Sequence, residues 1–179
     1  MPINIKQHIE KKFREANSSD ELFDLFEQAI KHKIKDPDTY KSLLANMALS
    51  ADEIKMFTEK LCKEFEDLKY DIYMWSAEIL ESTLSEENIE TAFNYYQKAS
   101  QSDKTNHLPF ISIIRMYNAD LDIPPKERII GLLERAIKEV RIKSILYKEM
   151  AEFHGMLGDD LKKRKYMTLS AQYRRKESM

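Results

Sequence analysis

An all-α fold follows from three features of the 179-residue sequence. The chain holds only 3 glycines and 5 prolines, and none of the Asn-Gly, Asp-Gly or Gly-Gly pairs on which β-hairpins lean. Good helix formers (Glu, Lys, Leu, Met and Ala) dominate its composition. Apolar residues recur at spacings of three and four, the rhythm of one helical face.

The elements can be read along the chain. Ser18-x-x-Glu21 is a capping-box pattern, and behind it Leu22, Leu25, Phe26, Ala29 and Ile30 form one stripe. Pro37, after Asp36, suits the first turn of the next helix, where no N–H is missed. Ser50-x-x-Glu53 repeats the box ahead of Phe57, Leu61, Glu64 and Phe65. Ser85 precedes Glu86 and Glu87 and a helix carrying Ala92, Tyr96 and Ala99. Pro109 and the Pro124-Pro125 pair are expected in first turns, the latter ahead of Ile129, Leu133, Ala136 and Ile137. Helices of about 12–17 residues with short polar connections are expected.

A repeat underlies these helices. Phe26-Glu27-Gln28-Ala29-Ile30 recurs as Tyr96-Gln97-Lys98-Ala99-Ser100 and Leu133-Glu134-Arg135-Ala136-Ile137, with a weaker echo at Leu169-Ser170-Ala171. The four alanines are 70, 37 and 35 residues apart, and the midpoint of the long gap falls at Glu64. An independent column, Tyr40, Trp75 and Tyr147, returns the same period, which places Trp75 in the core with its column-mates. Five antiparallel helix pairs in one domain over 1–179 are therefore expected, near 1–35, 36–70, 71–106, 107–142 and 143–179. Pairs this small bury too little alone, so stacking into an α-α superhelix is the expected solution. The last helix carries Arg164, Lys165, Thr168 and Gln172 where earlier ones carry apolar residues, as a solubilising cap would. On that reading the array is complete.

This period resembles the tetratricopeptide repeat and its RNA-processing relative, the half-a-tetratricopeptide repeat. The shared marks are an aromatic on the first helix and a small residue on the second, three positions after a large one. Ile145 to Asp159 is the nearest stretch, with Gly158-Asp159 where that family turns between helices. The other four repeats lack the turn glycine, so the array is a divergent one. The resemblance implies a concave groove lined by first helices. By the period, Gln7, Lys11, Ser42, Asn46, Ala77, Glu81, Ile114, Asn118, Glu149 and Phe153 face it, and of these Lys11, Ser42, Asn46, Glu81, Ile114, Asn118 and Phe153 are the candidate partner-binding residues. The subgroup that clamps a partner's terminal carboxylate needs a lysine where Gln7 stands, and Leu43 and Glu78 supply no cation, so that mode is not expected.

Catalytic signatures are missing. Three glycines cannot build a phosphate-binding loop, and the lone Cys62 excludes an internal disulfide and any multi-cysteine zinc site. His8, His32, His107 and His154 are scattered without a helical metal-ligand spacing and read as surface or boundary residues, so no metal and no cofactor are expected. Carboxylate pairs such as Glu86-Glu87 and Asp159-Asp160 sit at helix starts, where the helix dipole favours them.

Charge is uneven although the total is -2. Residues 140–179 carry ten Lys or Arg and five acids, with Lys162, Lys163, Arg164, Lys165, Arg174 and Arg175 forming a basic patch that suits phosphate or a solvated cap. Met1-Pro2 leads into a polar stretch from Asn4 to His8, unlike a secretory signal, and no segment approaches the roughly 18 apolar residues needed to span a bilayer. The expectation is a cytoplasmic, non-enzymatic adaptor that binds a protein or peptide segment in its groove, with no membrane partner. The alternative is an RNA-processing factor of the half-a-tetratricopeptide type acting through the basic patch.

Overall fold

Side chains near each start set most of the helix beginnings. The computed structural model describes residues 4–83 and 85–179, and the Met1-Pro2 start lies outside them. Asn4 accepts from Lys6 N and opens α1, Ile5–Glu15. Ser18 accepts from Glu21 N at the start of α2, Ser19–Lys31. Asp36 caps α3, Pro37–Leu44, with Pro37 in its first turn. Ser50 and Glu53 close both halves of a capping box on α4, Ala51–Glu64. A single 3₁₀ turn, Glu66–Leu68, leads into α5, Lys69–Glu81. Ser85 caps α6, Glu86–Ser102, as its position before two glutamates predicts.

Then follow α7, Leu108–Arg115, α8, Lys126–Glu139, α9, Lys143–Met156, and α10, Asp160–Glu177. No strand occurs among the described residues. Pro109 does sit in a first turn, but Pro124 and Pro125 precede α8. Two helices are shorter than expected, α3 and α7 at 8 residues each. Just past each end stands an asparagine whose side chain accepts following backbone N–H groups: Asn46 from Ala48, and Asn118 from Asp120 and Leu121. Such local bonds compete with the helical ladder and favour a turn.

The chain divides into two compact units, one ending at Thr83 and one running on to Met179. In the first, α1 packs on α2 and α3, α3 on α4 and α5, and α4 on α5. Its core joins Ile9 and Phe13 to Leu22, Phe26, Tyr40, Leu43, Phe57, Leu61, Ile72 and Leu80. The rings of Phe26 and Phe57 meet at 4.9 Å. In the second, α6 packs on α7, α7 on α8 and α9, and α8 on α9, while α9 and α10 lie side by side. Phe93, Tyr96, Ile113, Ile129, Leu133, Leu146 and Phe153 fill that core. The expected repeat over 71–106 thus contributes α5 to one unit and α6 to the other.

Of the small residues aligned by the period, Ala29, Ala99 and Ala136 are all buried. Glu64 is exposed, and buried Cys62 takes the second repeat's place. Ala171 is exposed as well, and buried Ser170 stands in for it, its hydroxyl donating to Ser144 O at 2.8 Å. Of the aromatic column only Tyr40 is fully buried. Trp75 and Tyr147 are half-buried, because α5 turns Ile72, Ser76 and Leu80 inward and leaves Trp75 at the edge. His154 is likewise not a boundary residue. It is 2% exposed between Phe153 and Tyr166, where burial, with the Lys162 charge, pushes its imidazole pKa down.

One cap spans the second unit. No nearby side chain starts α9. Instead Glu177, in the last turn of α10, accepts from Lys143 N at 2.7 Å, from Ser144 N at 3.2 Å and from the Ser144 hydroxyl. Burial works against ionisation of Glu177, but these bonds outweigh it and hold the carboxyl below the ordinary glutamate value of 4.5. Replacing Glu177 with Ala should cost the second unit about 1–2 kcal/mol at pH 7, as loss of a helix cap does. A depressed carboxyl stabilises fully above its unfolded value and loses that contribution as pH falls through the folded one. The urea midpoints of parent and Glu177→Ala should therefore differ at neutral pH and draw together as the pH falls below the ordinary glutamate value of 4.5.

Candidate partner-binding groove

The first unit carries a concave surface between α1 and α3. Alternate faces of the two helices explain it. Ile9 and Phe13 on α1 and Tyr40, Leu43 and Leu44 on α3 turn into the core. Glu10 and Arg14 on α1, and Asp38, Lys41, Ser42 and Ala45 on α3, then line the opposite side. Beyond α3, Asn46, Met47 and Ala48 complete the wall. The pocket holds about 940 Å³, within the range of ligand-binding clefts.

Short contacts fix its shape. Arg14 forms an ion pair with Glu10 one turn back and donates from Nε to the Ser42 hydroxyl at 3.4 Å, tying α1 to α3. The Asn46 amide donates to Phe13 O at 2.7 Å and Ala16 O at 3.0 Å, and its oxygen accepts from Ala48 N at 2.8 Å. The Lys41 ammonium, on a side chain that also lines the pocket, sits 4.9 Å over the Trp75 ring. Two acids and two bases face the space, so the groove is polar and close to electroneutral. Met47 is 97% exposed and offers an adaptable apolar contact at one end.

The groove residues expected from the period divide sharply. Ser42 and Asn46 line the pocket. Lys11 is exposed on α1 and pairs with Glu15 at 3.6 Å, outside the pocket. Glu81 is half-buried at the last residue of α5. Ile114 and Phe153 are core side chains at 4% and 0% exposure, so no partner can touch them in this conformation. Asn118 lies past α7, in a turn closed by backbone bonds to Ile123. Missed residues are Glu10, Arg14, Asp38, Lys41 and Met47. The polar spacing of Asp38, Lys41, Ser42 and Ala45 against the apolar Tyr40, Leu43 and Leu44 was the available signal.

The basic residues Lys162, Lys163, Arg164, Lys165, Arg174 and Arg175 are all exposed on α10. No group of three or more metal-ligating side chains occurs among the described residues, and none of the described helices is long and apolar enough to cross a membrane. No protein-family model, no curated protein and no solved structure matches the chain.

Proposed function

We propose that this chain is a non-enzymatic, cytoplasmic adaptor, built as a divergent tetratricopeptide-like array, whose first unit binds a segment of another protein between α1 and α3. The observation that carries this reading is the 940 Å³ pocket between those helices, which are the first helices of the first two repeats expected from the period. The groove supplies what an extended or helical segment requires: hydrogen-bonding side chains in Asn17 and Ser42, ion-pair partners of both signs, and the exposed Met47. Its balanced charge favours a segment of mixed charge over a strongly acidic or basic one.

Photocrosslinking amino acids placed at Ser42 and at Ala45 test the proposal in the full-length protein. Both positions should capture the same protein, through the same short peptide, when lysate of the source cells is irradiated. The same group at Asp24, exposed on α2 and outside the pocket, should capture nothing comparable. Equal capture at all three positions, or none at either groove position, overturns the assignment.

A further inference from the structure

The exposed side of α10 has a charge pattern of which only Lys163 touches the rest of the fold, its side chain lying along Gly155 of α9. Tyr166 and Ser170 are buried and Leu169 and Tyr173 half-buried, so this side of the 18-residue helix rests against the rest of the second unit. On the exposed side, Lys163 and Arg164 stand 11 residues before Arg174 and Arg175. Eleven residues make about three turns, so each cation faces the same way as its mate about 16 Å along the axis. Among the described residues none of the four meets a carboxylate. Asp159 is occupied by Lys162 at 3.5 Å, and Glu177 by the start of α9. Exposed Lys165 extends the first doublet, and between it and Arg174 no charged residue occurs, the exposed positions being Met167, Thr168, Ala171 and Gln172.

We propose that this face binds duplex RNA, with the two doublets on the phosphate strands that border the shallow minor groove. Two rows of anions separated by a neutral gap fit the spacing, whereas a continuous acidic peptide would leave its centre unpaired. A single strand would need open aromatic faces on which to stack bases. Tyr166 is stacked 6.0 Å from Tyr147 and 5.3 Å from His154, and Tyr173 lies between Tyr147 and the Lys176 ammonium. B-form DNA presents its distinctive edges about 8.5 Å deep, out of reach of a helix packed along its length on α9. The A-form minor groove is wide and shallow and displays 2′-hydroxyls, which Thr168 and Gln172 are placed to meet. Guanidinium groups suit phosphate because their fork of donors matches its oxygens.

The test is fluorescence anisotropy of the full chain with a labelled 20-base-pair RNA duplex at low salt. The comparisons are a DNA duplex and an RNA single strand of the same sequence, and poly-glutamate as competitor. Duplex RNA should bind at least tenfold tighter than either other nucleic acid, and poly-glutamate should not displace it. The slope of log K against log salt should be about -3 to -4, for four neutralised phosphates. Changing Lys163, Arg164, Arg174 and Arg175 together to Gln should weaken binding at least tenfold with an unchanged thermal melt. Absence of binding, equal or tighter binding to DNA or single strand, displacement by poly-glutamate, or an unaltered affinity in the variant overturns the proposal.

Discussion

Phe153→Ala should destabilise the second unit by about 3–5 kcal/mol, the usual cost of removing a fully buried phenylalanine. The ring is completely inaccessible and meets Tyr117 edge-on at 5.1 Å, with the His154 ring 6.1 Å away. Truncation removes these ring contacts and leaves a cavity beside Tyr117, whose hydroxyl is held by a 2.9 Å bond to Asp122. Domains of ordinary size hold about 5–15 kcal/mol in all, so the loss is a large share of what keeps the unit folded. Urea denaturation followed by circular dichroism measures it. A change below about 1 kcal/mol would mean that Phe153 is not a core residue and would return it to the groove that the repeat period assigned it.

Asn46→Ala should cost the first unit about 2–3 kcal/mol, from three lost hydrogen bonds at about 1 kcal/mol each. Phe13 O lies in the last turn of α1 and Ala16 O just past it, where carbonyls have no partner within the helix. Asn46 satisfies them from 30 or more residues away, in place of a local cap. Asn46→Asp is the sharper variant. It keeps the shape and loses both donors, so its loss in a urea melt should equal or exceed that of alanine. Variants that melt like the parent would show that the amide does not hold the two helices together.

Both side chains show where sequence reasoning stops. Starts at Ser18, Asp36, Ser50 and Ser85 are legible because capping is local: donor and acceptor lie within three residues. Core stripes such as Leu22, Leu25, Phe26 and Ala29 are legible for the same reason, since helical geometry alone sets their common face. The bonds of Asn46 to α1 and of Glu177 to α9 join residues more than 29 apart, and nothing in their immediate neighbours announces them. A period, moreover, establishes which residues correspond without establishing which way they face. One residue of slip turns a side chain by about 100° on a helix. That is enough to move Phe153 from a groove to a core, or to exchange Ala171 for Ser170 as the small residue against the neighbouring helix. Ser42 and Asn46 line the pocket because α3 keeps the expected register up to its shortened end.

The lone tryptophan and the lone cysteine have a practical consequence. Trp75 is half-exposed and Cys62 is 2% exposed, and both lie in the first unit. Indole emission and the rate of thiol labelling therefore report directly on the opening of that unit, while the second unit contains neither reporter. A melting step seen in the far ultraviolet but silent in both signals is then assigned to the second unit. The natural composition already supplies the two-channel readout needed to measure each half's stability in the intact chain, without introduced residues or truncation.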